Sequence, residues 1–165
     1  IMIRAASKKD ASRLAEILIF AKRMAYRPIF QNDIVSFQEM QVLDLALFYR
    51  DCPQALTDIA VFDDGIVKGM IHWDRNSHFE NTWELIEIYV DPFFQQQGVG
   101  TALMQHLLSS AKMNGIRTIF LWVLEKNMDA RKFYETFGYR NTDIKEEVEH
   151  TGQYVVKYQC NLSCH

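Results

Sequence analysis

The sequence predicts an α/β fold built on a mixed, mostly antiparallel central sheet, with one parallel strand-helix-strand unit and helices on both faces. Three observations carry this expectation: strand-period segments joined by a tight turn, a helix-period ladder between two later apolar strands, and two short strands near the end of the chain. An antiparallel meander, then strand-helix-strand, then a helix and a final hairpin leave this as the natural architecture.

Each element has a local reason. MIRAA, Met2 to Ala6, reads as a short strand. Ser7 with Asp10 makes a capping-box-like helix start, after which Ala11, Leu14, Ile17, Leu18, Ala21 and Ala25 recur at helical spacing. That helix is expected to end near Tyr26, ahead of Pro28, because proline has no amide to donate. Gln31 to Arg50 reads as a second, less regular helical region containing Phe37, Leu43, Leu47 and Phe48. DIAVF and IVKGMIHW flank Asp63-Asp64-Gly65, a strand-turn-strand signal. Polar DRNSHFEN then leads into a third strand, WELIEIYV. Val99, Leu103, Leu107 and Ala111 form an i, i+4 ladder that Asn114-Gly115 stops. IRTIFLWV reads as a buried strand. From Asn127 a short helix places Ala130, Phe133, Tyr134 and Phe137 on one face and ends at Gly138, and strands near Tyr139 to Ile144 and Tyr154 to Cys160 complete the order.

The 165 residues, 48% hydrophobic and 24% charged, read as a single domain over 1–165. A net charge of -3 gives no basic footprint for nucleic acid, and no apolar run approaches the ~20 residues that span a bilayer. Partners are therefore expected to be small molecules, with a homodimer left open. Cys52, Cys160 and Cys164 are an odd, sparse set that fits a reducing compartment, the cytoplasm. Cys160, Cys164 and His165 read as a strand end and tail; structural zinc usually takes four ligands, and no metal is expected.

The stretch FFQQQGVGTALM, Phe93 to Met104, puts Gly98 and Gly100 at the start of a helix, where each glycine costs roughly 1 kcal/mol relative to alanine. A strand running through a glycine loop into a helix exposes unpaired backbone N–H groups at the positive end of the helix dipole, an anion cradle. The lysine of GxxxxGK[ST] and the third glycine of the dinucleotide fingerprint are absent, which opposes both common nucleotide readings. Gln95-Gln96-Gln97-Gly98-Val99-Gly100 resembles the Q/R-x-x-G-x-G/A motif of the GNAT superfamily of acyl-CoA-dependent N-acyltransferases, and it follows a strand ending in Tyr89-Val90-Asp91-Pro92 as in that family. Downstream, LWVLEKNMDARKFYETFGY, Leu121 to Tyr139, is similar to the family's second signature, a strand, an asparagine and an F-Y-E-x-x-G-[FY] helix. The resemblance runs from about Ile59 onward; the first 58 residues match in outline.

The resemblance implies a GNAT-like fold and transfer of an acetyl group from acetyl-CoA to a primary amine of a small molecule or of a protein or peptide. It implies that backbone amides of Gln96, Gln97, Gly98, Val99, Gly100 and Thr101 hold the pyrophosphate, with Gln95 standing where many relatives carry arginine. Ile88, Tyr89 and Val90 would pair their backbone with the pantetheine arm, in a cleft that a bulge opens. Asn127 would both cap its helix and reach that arm. The Val90 N–H would stabilise the oxyanion. Tyr134 would be the general acid: a phenol of pKa about 10 can protonate a thiolate whose acid lies near 8.5 if that thiolate is poorly solvated. Glu84 takes the position where several relatives place a catalytic glutamate, while Glu87, Glu125 and, through water, His72 stay open as bases. An alternative function is a non-catalytic acyl-CoA-binding sensor. Tyr26, Phe30, Phe37, Phe48 and Tyr49 are the aromatic residues available to an acceptor pocket.

Overall fold

The computed structural model describes residues 2–30 and 42–163. Among them the chain runs β1 (Met2–Ala5), α1 (Ala11–Phe30), α2 (Val42–Asp51), β2 (Ile59–Asp63), β3 (Val67–Asp74), β4 (Thr82–Val90), α3 (Val99–Met113), β5 (Thr118–Leu124), α4 (Met128–Thr136), β6 (Arg140–Val148) and β7 (Gln153–Asn161). The strands form one mixed sheet in the order β1-β2-β3-β4-β5-β7-β6, the α/β class expected. β1, β2 and β3 are antiparallel neighbours, β4 and β5 are parallel, and β7 is antiparallel to both β5 and β6. The last hairpin thus enters the sheet by its second strand. No helix among the described residues is long and apolar enough to cross a membrane.

The chain divides into two compact units, Ile1–His72 with Glu87–His106, and Trp73–Ile86 with Leu107–His165. In the first, Leu14, Ile17 and Leu18 of α1 pack with Tyr49, Leu56, Ile59, Val61 and Met70. The Ser7 amide donates to the Asp10 carboxylate at 2.8 Å, as the capping pattern implies, although a 3-10 turn, Lys8–Asp10, precedes α1. Asp10 also accepts two Arg4 nitrogens at 2.8 and 2.9 Å, and Arg4 reaches Asp63 at 3.0 Å. The Arg4 hydrogen bonds hold the Asp10 carboxyl below its usual range against the effect of burial.

One boundary differs from expectation: α1 does not stop at Tyr26 but continues through Pro28 to Phe30. Proline deprives the carbonyl four residues back, at Met24, of its partner. Met24 is 62% exposed, on the side of the helix where water can take that bond.

In the second unit, Trp73 and Trp83 stack at 6.3 Å, with the Arg75 guanidinium over both rings. Both of its helix ends close with the same glycine device. Gly115, at φ +71°, donates to Lys112 O at 3.1 Å while Ile116 N–H reaches Ala111 O at 2.9 Å; Gly138, at φ +90°, donates to Glu135 O at 3.1 Å while Tyr139 N–H reaches Tyr134 O at 3.3 Å. β6 runs to Val148, past the expected Ile144, because an edge strand solvated on both faces has no apolar alternation to mark it. Its register shifts between Asn141 and Lys145, with Asp143 at φ +62°.

Glycine inside β3 has a packing reason. A Cβ on Gly69 would lie 2.8 Å from Val99 Cγ1, 3.0 Å from the Tyr89 carbonyl oxygen and 3.1 Å from Leu103 Cδ1. The first turn of α3 and the end of β4 therefore rest on β3 where only glycine fits. Gly69→Ala is expected to cost about 1–3 kcal/mol, and each kcal/mol lowers the melting midpoint by roughly 2–4 °C in a chain of this size. Scanning calorimetry that finds no change would mean α3 can retreat from the strand.

Candidate active site

The end of β4 is fastened before the glycine loop begins. Asp91 follows Val90 and caps a single 3-10 turn, Pro92–Phe94: one carboxylate oxygen accepts the Phe93 N–H at 2.8 Å and the other accepts Arg13 Nη2 at 2.6 Å. Arg13 Nε donates to Val67 O at 2.8 Å, and the Asp91 N–H donates to Lys68 O at 2.8 Å. The Lys68 ammonium in turn lies 4.7 Å from the centre of the Phe94 ring.

Beyond this anchor Gln95, Gln96, Gln97 and Gly98 are exposed, and the chain reverses through two left-handed residues, Gln96 at φ +62° and Gly98 at φ +81°. Glutamine in that region stores of order 1–3 kcal/mol, which the surroundings must hold in place. α3 starts at Val99, buried at 2% exposure against Gly69, and its first intrahelical bond runs from Ala102 N–H to Gly98 O at 3.0 Å. The N–H groups of Gly98, Val99, Gly100 and Thr101 precede that bond and have no intrahelical acceptor. Several amides at a helix N-terminus, on an exposed loop, suit a pyrophosphate.

The parallel ladder of β4 with β5 spans three pairs, Thr82↔Thr118, Trp83↔Ile119 and Glu84↔Phe120, whereas β4 continues to Val90. Ile88, Tyr89 and Val90 lie past the ladder and are half-buried, and Tyr89 Oη is 3.3 Å from Tyr26 Oη. These residues and the loop belong to the first unit, as do His72 and Glu87. Glu87 takes the Lys22 ammonium at 3.2 Å and lies 4.0 Å from His72 Nδ1.

Glu84, Asn127 and Tyr134 belong to the second unit. Burial, and secondarily the charge of Asp74, push the Glu84 carboxyl up from its ordinary 4.5; Lys157 partly opposes them. Asn127 caps α4, its Oδ1 accepting the Ala130 N–H at 3.2 Å. Tyr134 is half-buried, its ring 5.7 Å from Phe133 and 5.9 Å from Tyr139. Arg131 steadies α4 by donating to Tyr158 Oη at 2.8 Å and to Glu125 O at 2.7 Å, while Tyr158 donates to Glu135 at 2.9 Å. The Glu125 carboxylate is engaged by Lys145, which holds its pKa down and makes it the weaker base. Phe37 and the Phe30 side chain lie outside the described residues.

A model of the acetyltransferase (GNAT) family matches residues 21–139. The chain belongs to that family. An uncharacterized N-acetyltransferase of Methanocaldococcus jannaschii is 35% identical over 80 residues, 48% of this chain and 35% of that protein. The ribosomal protein bS18 alanine N-acetyltransferase of Escherichia coli (strain K12) is 38% identical over 61 residues, 37% of this chain and 41% of that protein. The matched stretches thus span less than half of either relative. The PaiA N-acetyltransferase of Thermoplasma acidophilum, solved with coenzyme A, shares the fold at a TM-score of 0.68 and 20% identity, over 94% of this chain and 96% of that one. Acetyl-CoA is the cosubstrate of the GNAT family.

Sequence reasoning missed three residues that build this GNAT loop. Gly69 carried a signal, since glycine within a strand marks close approach of another backbone or a ligand. The pairing of Arg13 with Asp91 carried none, since it joins positions 78 residues apart.

The raised Glu84 carboxyl yields a stability test. A folded-state pKa above the unfolded one means stability falls as pH climbs from the ordinary 4.5 through the folded value, and the loss persists above it. Glu84→Gln is therefore expected to melt higher than the parent at neutral pH and to lose that advantage below pH ~4. Midpoints measured from pH ~3 to ~8 check it; a constant difference would mean Glu84 is not desolvated in solution.

Proposed function

We propose that residues 1–165 act as one N-acetyltransferase domain, moving an acetyl group from acetyl-CoA to a primary amine of a small molecule or of a protein or peptide. The observation that carries this reading is the anchored loop Gln95 to Thr101, which opens into the start of α3, where amides without intrahelical acceptors suit an anion. Membership of the GNAT family and the N-acetyltransferase names of the relatives support it.

Bound acetyl-CoA supplies an activated thioester. The amides of Gln96 to Thr101 hold the pyrophosphate, Gln95 offers a polar flank, and the backbone of Ile88 to Val90, past the β5 ladder, pairs with the pantetheine arm, which the Asn127 side also contacts. The Val90 N–H donates to the carbonyl oxygen as charge gathers there. Glu84 accepts the proton that an ammonium acceptor must lose, and its raised pKa makes it a better base than an ordinary carboxylate. The Tyr134 hydroxyl gives a proton to the departing thiolate and regains one from the acceptor nitrogen, which loses its second proton as the amide forms. Unpaired Cys52 and buried, unpaired Cys160 fit work in the cytoplasm. A sensor that binds acyl-CoA without turnover would share the loop; release of free thiol in the presence of amines separates the two.

Acetyl-CoA at a hundred times its dissociation constant is expected to add about 2.7 kcal/mol, a rise in melting midpoint of several degrees at roughly 2–4 °C per kcal/mol. No rise at millimolar acetyl-CoA would remove the cofactor assignment.

Tyr134→Phe keeps the ring packing and deletes the acidic proton. Its single-turnover rate with an acceptor found by thiol release is expected to fall about 10²–10⁴-fold, with acetyl-CoA affinity and midpoint little changed. A rate within a few-fold of the parent would leave Tyr134 a packing residue.

A further inference from the structure

The first unit holds a charged pair that neither its core nor the glycine loop employs. Lys22 on α1 lies 3.2 Å from Glu87 on β4, with side chains 25% and 18% exposed. His72 on β3 places Nδ1 4.0 Å from the other Glu87 oxygen. Tyr49 on α2 completes the surroundings: burial, and then the charge of Glu87, push its phenol up to about 12. Glu87 immediately precedes Ile88, and at ~3.3 Å per residue it sits roughly 10 Å along the strand from Val90.

The pair differs from the buried carboxylates of this unit. Asp10 and Asp91 each hold a backbone N–H as well as an arginine. Among the described residues Glu87 has Lys22 and His72 alone, and Lys22 has Glu87 alone. A partly buried ion pair of this kind roughly breaks even against an apolar pair of similar size. Fold stability therefore gives no account of it.

We propose that Lys22 and Glu87 are an exchangeable pair that selects a zwitterionic acceptor, an α-amino acid. The acceptor's ammonium takes the place of Lys22 at Glu87, which for this acceptor class receives its proton in place of Glu84, and its carboxylate takes the place of Glu87 at Lys22. Both protein charges stay compensated. An amine without a carboxylate would occupy Glu87 and leave Lys22 half-buried and unpaired, so the same pair discriminates against it. The flexible lysine stem permits the exchange with α1 and β4 fixed. This inference rests on the N-acetyltransferase reading and narrows its substrate class.

The test compares thiol release from acetyl-CoA with each of the common L-amino acids and with its α-amide, which keeps side chain and amine but lacks the carboxylate. The best amino acid is expected to exceed its amide in kcat/KM by roughly ten-fold or more, the scale of a hydrogen-bonded charge contact. Lys22→Met is expected to abolish that preference through KM, lowering kcat/KM for the acid and raising it for the amide, which no longer leaves a lysine unpaired, whereas Glu87→Gln lowers both. The midpoint rise given by acetyl-CoA verifies that each variant is folded and binds cofactor. Amides as good as the acids, or Lys22→Met harming both alike, would overturn the proposal. So would turnover of neither while acetyl-CoA still raises the midpoint, an outcome that leaves cofactor binding standing. Absence of the midpoint rise in the parent protein instead removes the reading beneath it, and this one with it.

Discussion

The Asp91 carboxylate, on a residue only 7% exposed, is shared between the Arg13 guanidinium and the Phe93 amide. Taking a carboxylate out of water costs several kcal/mol unless both its charge and its lone pairs are met, and here one oxygen meets the charge while the other meets an amide. Arg13 carries the constraint on to β3 through Val67 O, and the Asp91 amide adds Lys68 O. One node therefore sets α1, β3, the end of β4 and the turn before α3. Gly69 does the complementary work by letting Val99 and Tyr89 O come closer than any side chain would allow. A functional constellation tolerates errors of only about 0.5 Å, and a loop of glutamines and glycines has no core of its own to meet that tolerance.

Two local costs fall on residues assigned a role. Gln96 is held at φ +62°, and Glu84 keeps a carboxyl in surroundings that disfavour its charge. The opposite holds for the frame around them. α4, which carries Tyr134, is capped by Asn127, closed by Gly138 and tied by Arg131 and Glu135 to one tyrosine hydroxyl. Rigidity is spent on position, and polarity is left where protons move.

Much of the fold was legible because its signals are local. Gly98, Gly115 and Gly138 sit at positive φ, where a side chain is strained, so they punctuate the chain wherever they occur. The Val99, Leu103, Leu107, Ala111 ladder marked a helix whose one face is fully buried. Pro28 misled because the rule treats proline as a stop, whereas near the end of a helix it removes a single bond. The far end of β6 was invisible because it is exposed throughout and has no buried face to alternate with. In the candidate site, the glycine loop and the α4 signature were readable from residue order. The Arg13–Asp91 and Lys22–Glu87 pairs were not, since nothing in two distant stretches says which charge will meet which.

The placement of β7 governs how the chain is made. β5 and β6 each pair with β7, and β6 joins the sheet only through it, yet β7 is synthesised after both. While a ribosome extends the chain at about 5–20 residues per second, Trp122 and Val123 of β5 have no antiparallel partner until Lys157 and Val156 emerge. The β7 edge of β5 thus stays unpaired through the whole span that encodes α4 and β6. Nascent chains halted before Gln153 would present the open edge of a largely apolar strand, the kind of edge that chaperones engage and that aggregates capture.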